Sequence, residues 1–171
     1  ICAEITDILS RYTAVYQICI YERYREQLTA CSIYTEQVMT QQILSEAKGT
    51  FHSANHFFVK YGQYASVIQD VRKVLRDYSG ALSVSDVAKV LWFIPYDMVY
   101  RSLSNDDESL NIGNSTWMLA EHFPLTREDA DRIGDMLDEY FLTNKYVKAL
   151  DMMPLLQDRL PDIADNLHGM N

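Results

Sequence analysis

Between Ile1 and Lys48 the chain contains neither glycine nor proline, and the first residue that readily breaks a helix is Gly49. Only six glycines and four prolines occur in 171 residues. Long uninterrupted helices are open to such a chain, whereas a fold of many short strands joined by tight turns is not favoured. Apolar residues recur at Ile5, Ile8, Leu9, Tyr12, Val15, Tyr16 and Cys19, then at Tyr24, Leu28, Cys31, Tyr34 and Val38. The three-to-four spacing, with one slip near Glu22 and Arg23, predicts two helices or one bent helix across 2–48. The alternative is a strand over Tyr12 to Tyr21, a stretch rich in Tyr, Ile and Val, although its apolar residues run through both faces and no turn residues bound it.

Further along, Phe57, Tyr61, Tyr64, Ala65, Ile68, Val71, Val74, Leu75 and Tyr78 form a stripe that predicts one amphipathic helix over about 53–79, stopped by Gly80. Ser83 to Asp86 is a helix start of the capping-box kind, with a helix expected to about Phe93. Pro95 ends it, a second short helix is expected at 96–103, and Asn105 to Glu108 is a polar loop. Gly113-Asn114 between apolar pairs predicts a hairpin at 109–119. Thr126 to Asp129 repeats the capping logic, and Ile133, Met136, Leu137, Tyr140 and Phe141 give the following helix a buried stripe. Asn144 to His168 is expected as short helices, with Pro154 and Pro161 each in a first turn. No internal repeat is visible. The fold class expected is therefore mainly α, a helical bundle with a C-terminal helix-turn-helix-like subdomain carrying a candidate wing.

Charge divides the chain more sharply than hydropathy does. Residues 1–80 carry eight acids and eight bases, while 81–171 carry sixteen acids and seven bases and so the whole net charge of −9. Two parts are expected: a Tyr-rich helical layer, 1–80, and an acidic helical part, 81–171, either separate or fused in one compact domain. An acidic half disfavours non-specific binding to nucleic acid, which needs a surplus of Lys and Arg. The longest apolar run, Val90 to Pro95, has six residues, far short of the ~18 that span a bilayer, so no membrane segment is expected. Cys2, Cys19 and Cys31 leave one thiol unpaired whichever two are joined, and read as reduced thiols of an intracellular, cytoplasmic protein. The chain starts at Ile1 with no initiator Met, so its first residue is expected to be a trimming boundary.

The segment Leu82-Ser83-Val84-Ser85-Asp86-Val87-Ala88-Lys89-Val90-Leu91, followed by Pro95 and Met98 to Leu103, resembles the helix-turn-helix of excisionase-like and MerR-like DNA-binding proteins. The resemblance covers about 22 residues, 82–103, and would imply a second helix that reads bases, with Lys89, Tyr96, Tyr100 and Arg101 as its candidate DNA contacts. Two features depart from it: Trp92 stands where the turn usually has Gly, and Ala88 to Val99 is one residue longer than the usual spacing. Residues 81–125 also hold six acids against Lys89 and Arg101 alone.

Other constellations are thinner. His52 and His56 stand four apart, a spacing that on a helix would aim both imidazoles at one metal, with Glu121 and His122 to complete the set, but Ser53, Ala54 and Asn55 between them lack the acid of a metalloprotease motif. Asp106, Asp107 and Glu108 lack the alternation of a calcium loop. No phosphate loop or nucleophile elbow occurs, so no catalytic, metal or cofactor residue is expected. Twelve tyrosines, five of them between Tyr12 and Tyr34, suit core rims or an interface. Tyr12, Tyr16, Tyr24 and Tyr34 are the candidate interface residues. The expected function is a non-enzymatic protein–protein interaction or regulatory module whose partner is another protein or a second copy, dimerising through 2–48. The alternative is a DNA-binding transcriptional regulator using a winged helix-turn-helix at 82–119.

Overall fold

The computed structural model describes residues 1–168. It corrects the expected fold class: the chain is 60% helical but contains two three-stranded antiparallel sheets, and is a mixed α/β protein rather than mainly a helical bundle. Contacts divide it into two compact units, Ile1–Glu121 and a second beginning at His122. The charge boundary near Gly80 falls inside the first.

The opening run is not continuous helix. Helix α1 (Cys2–Arg11) buries Ile5, Ile8 and Leu9, then the chain extends into strand β1 (Ala14–Tyr16) before α2 (Gln17–Arg23), α3 (Arg25–Ala30) and α4 (Glu36–Ala47). The single helix expected over 53–79 is also absent. Its first part is a hairpin, β2 (Phe51–Ala54) and β3 (Phe57–Lys60), and only Val67–Tyr78 is helical, as α5. Asn55 and His56 explain the difference, because both adopt positive φ (50° and 68°) and form a two-residue turn of the mirror-image kind that matches strand twist. Phe57, Phe58 and Val59 are buried in succession, as befits the middle strand of a sheet ordered β1-β3-β2. Val15 pairs with Phe58, so β1 exists because β3 lies beside it. Ser66 then caps α5, its hydroxyl accepting from the Gln69 amide at 3.4 Å.

After α5 come β4 (Leu82–Ser83), α6 (Val84–Val90), α7 (Tyr96–Asn105), β5 (Ser109–Gly113) and β6 (Thr116–Leu119). Helix α6 stops at Val90, short of Phe93, and Leu91 to Pro95 form the turn. The second sheet is ordered β4-β6-β5, and its hairpin also closes through two positive-φ residues, Asn114 and Ser115. The first unit thus runs twice through helix, short strand, helix, helix and hairpin, with α3 inserted in the first pass. Each time the first strand pairs with the last. Each pass has the element order of a helix-turn-helix followed by a hairpin in the wing position.

The two repeats share one hydrophobic core that runs from Ile5 to Leu119. The α6–α7 turn of the second repeat is pressed into the first. The Tyr16 amide donates to the Phe93 carbonyl at 2.9 Å, the rings of Tyr12 and Phe93 lie 5.1 Å apart, and the Arg23 guanidinium sits 4.0 Å over the Trp92 ring. A polar clasp completes the joint. Asp70 in the first turn of α5, 1% exposed, accepts from the Thr13 amide (2.7 Å) and the Thr13 hydroxyl (3.0 Å), while the Ser66 amide donates to that hydroxyl at 2.8 Å.

In the second unit, α8 (Arg127–Phe141) opens on a complete capping box, with Thr126 and Asp129 each receiving the other's backbone amide. Helices α9 (Ala149–Arg159) and α10 (Pro161–His168) follow. Pro161 begins a helix, but Pro154 lies inside α9 rather than in a first turn and removes one of its hydrogen bonds. The expected buried stripe of α8 is only partly so: Met136 is buried with Leu156 and Ala164, Ile133 and Leu137 are half-buried, and Phe141 is exposed.

Candidate functional site

The second repeat places the four candidate DNA contacts on α6 and α7. Lys89, Tyr96, Tyr100 and Arg101 are all at or near the surface, because the opposite faces, through Val87, Val99 and Leu103, fill the core. Their electrostatics are closed, however. Lys89 Nζ bonds Asp86 at 2.7 Å, and that contact, with the Ser83 hydroxyl, holds the Asp86 carboxyl below the usual range. Arg101 faces Asp97 one turn earlier at 3.8 Å. The hairpin that stands as the wing, Ser109 to Leu119, holds no basic residue.

Acids continue at the base of that wing. Arg72 of α5 grips the buried Asp106 carboxylate through Nε (3.0 Å) and Nη2, and also meets Asp107 (3.1 Å) and Glu108 (2.7 Å). Asp106 is held below the usual range by these hydrogen bonds and by the Ser109 hydroxyl at 2.7 Å. The guanidinium is thereby consumed by the fold, tying α5 to the α7–β5 loop. Arg76 does the same with Glu121 at 3.0 Å.

The corresponding surface of the first repeat is polar and uncharged for the most part. A groove between α4 and the β2–β3 hairpin is lined by Thr35, Glu36, Gln37, Thr40, Gln41, Ser53 and His56, with Glu36 its one acid. Buried Gln17 braces its floor, donating to the Ser53 hydroxyl (2.6 Å) and accepting from Thr40 (3.4 Å). That groove was hidden from sequence reading, which had no reason to bring α4 against a hairpin.

The candidate interface tyrosines are dispersed. Tyr12 and Tyr16 are half-buried, stacking on Phe93 and Phe57 (4.9 Å), so part of each ring is spent inside. Tyr24 is half-buried and Tyr34 is exposed, its carbonyl accepting from the Tyr21 hydroxyl at 2.7 Å. The helical spacing of His52 and His56 does not apply, because His52 is on β2, stacked on Tyr61 (4.8 Å), and His56 is in the turn. Among the described residues no group of three or more His, Cys, Asp or Glu side chains is gathered to hold a metal. The three thiols are free, and burial pushes the Cys19 thiol up to about 11, which keeps it protonated and unreactive. Cys31 is exposed rather than part of the core.

Sequence reading also missed the surface of the second unit, where Phe141, Leu142, Tyr146 and Leu150 are all exposed. Among the described residues no helix is long and apolar enough to cross a membrane. Comparison of the chain with protein-family models, with curated proteins and with solved structures finds no match.

Proposed function

We propose that the chain is a non-enzymatic interaction module in which tandem winged helix-turn-helix repeats act as a rigid scaffold for binding another protein in a reducing intracellular compartment. One observation carries this reading: the base-reading position of the second repeat has no unspent cation. Lys89 and Arg101 are the only bases in 81–125, and each lies beside an acid of its own helix. Approaching phosphates would add repulsion from Asp106, Asp107 and Glu108.

A DNA-binding regulator using 82–119 is the second reading. It is favoured by the order and pairing of β4, α6, α7, β5 and β6, and by Tyr96, Tyr100 and Arg101 standing clear of the core. Mobility shift on mixed-sequence duplex at about 50 mM salt, where phosphate attraction is strong, separates the two. The interaction module predicts no retarded band. A band abolished by Arg101→Ala and Lys89→Ala would replace it with the DNA reading. Light scattering and cross-linking of the intact chain in its native extract test the module itself, which fails if the chain is monomeric and no defined complex is recovered.

A further inference from the structure

The second unit is thinly packed. Among its described residues Met136, Leu156, Ile163 and Ala164 are the buried apolar side chains, with Met152 and Met153 half-buried near them. A unit this small usually needs a staple or association to complete its core. Its largest exposed apolar side chains lie within ten positions of chain at the corner between α8 and α9, where Leu142 is 84% exposed, Leu150 89%, Tyr146 69% and Phe141 44%. At about 200 Å² for a fully exposed side chain of this size they present about 600 Å², the upper end of what a monomer leaves uncovered. Two such faces brought together would bury about 1,200 Å², where specific protein–protein interfaces begin.

The charge pattern selects the occupant. From His122 onward the chain holds ten acids and five bases, yet residues 138–150 hold two of each: Asp138 and Glu139 near the end of α8, Lys145 and Lys148 between the apolar residues. All four are exposed, and none is in an ion pair among the described residues. The corner is a neutral island in an acidic unit. A second copy approaching α8 along Asp131 and Asp135 would set acid against acid. At the corner, turned over by a twofold axis, it sets Lys145 and Lys148 of each chain against Asp138 and Glu139 of the other. A basic partner would be repelled by the two lysines and an acidic one by the two carboxylates, whereas the face matches itself in both signs. The groove beside it, lined by Met136, Tyr140, Leu142 and Leu155, offers the second copy an apolar seat with an adaptable methionine in its wall.

We propose that the α8–α9 corner is a homodimer face, packed isologously so that Phe141, Leu142, Tyr146 and Leu150 of two copies cover one another and Lys145 and Lys148 of each meet Asp138 and Glu139 of the other. The interaction-module reading rests on the first unit, and this assignment gives the second unit its own partner, a second copy of the chain.

The test is sedimentation of the purified full chain at about 50 μM and about 0.1 M salt, where exposed charges more than about 10 Å apart are screened. A mass twice 19.8 kDa is expected, with a micromolar Kd. Leu142→Ser combined with Leu150→Ser, which alters only exposed side chains, should weaken the dimer at least about tenfold. Lys145→Glu with Lys148→Glu, and separately Asp138→Lys with Glu139→Lys, should each leave a monomer, and mixing these two variants should restore a dimer, which also shows that both remain folded. Adding the serine pair to both should abolish the mixed dimer. A monomeric wild type, a dimer unmoved by the serine pair or by either charge reversal, charge variants that stay apart when mixed, or a mixed dimer that survives the serine pair would each overturn the proposal. A monomer that forms a defined complex with another protein in the native extract overturns the homodimer face alone. The module reading fails separately, on a monomer with no such complex.

Discussion

Replacing Asp70 by Asn isolates the clasp that joins the two repeats. The carboxylate is 1% exposed and accepts two bonds from Thr13. Burial pushes its pKa up from 3.8 to about 6, against the opposing pull of the Thr13 bonds. A folded pKa above the unfolded one means that folding takes up a proton. The contribution of Asp70 to stability is therefore fully present below about pH 4 and is lost as pH rises through about 6. A shift of about two units corresponds to about 3 kcal/mol at 1.36 kcal/mol per unit, and structural relaxation brings the expected figure to about 1–3 kcal/mol. Asn carries no charge and keeps an oxygen for the Thr13 amide. Its NH₂ meets the Thr13 hydroxyl, which can turn its own proton to the Ser66 carbonyl at 3.2 Å. Asp70→Asn should thus equal the wild type near pH 4 and exceed it by about 1–3 kcal/mol at pH 8. Trp92 and Trp117, the two tryptophans of the chain, both lie in the first unit, so their fluorescence during urea unfolding reports on that unit alone. A difference that stays constant between pH 4.5 and 8, or a variant less stable at pH 8, would refute the reasoning.

Three further substitutions probe other parts of the fold. Arg72→Ala strands the buried Asp106 charge and should lower the urea midpoint at pH 7 far more than Lys73→Ala, which frees only exposed Asp77. Because Arg72 holds Asp106 below the usual carboxylate range, that penalty should shrink as pH falls below about 4 and the acid protonates. His56→Gly removes a positive-φ cost at the β2–β3 turn, creating Asn-Gly, and should stabilise the first unit by about 0.5–1 kcal/mol in the same fluorescence assay. Pro154→Ala restores a donor inside α9 and should stabilise that helix by up to about 3 kcal/mol, read as slower amide hydrogen exchange across Ala149–Arg159.

Local chemistry was the legible part of this fold. The Ser83 and Thr126 caps act on the residues their spacing indicates, because a cap depends only on neighbours three positions away. The 109–119 hairpin is readable for the same reason, its turn needing residues that tolerate positive φ. Strand β1 was legible only as the alternative reading, a strand over Tyr12 to Tyr21, of which Ala14–Tyr16 is extended, since those three residues are held by pairing with Val59, Phe58 and Phe57, more than forty positions later. The first hairpin misled through coincidence: Phe57 and Tyr61, four apart, imitate one face of a helix, although Asn55-His56 supplies the turn. The tandem repeat was hidden because the two passes share topology but not residue pattern, α3 having no counterpart in the second. At the candidate site, the pairing of Lys89 with Asp86 and of Arg101 with Asp97 follows from helical spacing. The exposed corner of the second unit does not, since Phe141 and Leu142 continue an apolar stripe past the end of α8 and periodicity cannot say where a helix stops being covered.

The layout and the charge of the first unit favour different readings, and its cations bear on the choice between them. The repeated element order gives two helices, α4 and α7, each followed by a hairpin. Phosphate binding asks such a surface for several unspent Lys or Arg side chains, since each neutralised phosphate releases counterions and contributes to affinity. Here Arg72, Lys73 and Arg76 are held by acids of the fold, Arg11 by Asp7, and Arg23 lies between Glu4 and the Trp92 ring. In residues 1–80 only Arg25, Lys48 and Lys60 stand outside ion pairs among the described residues, and Arg25 lies 5.7 Å over the Tyr21 ring. One of these cations also joins the two passes, Arg23 lying over Trp92, and the bonds of Thr13 to Asp70 cross the same joint without a cation. A surface with so few free cations has little to offer a polyanion.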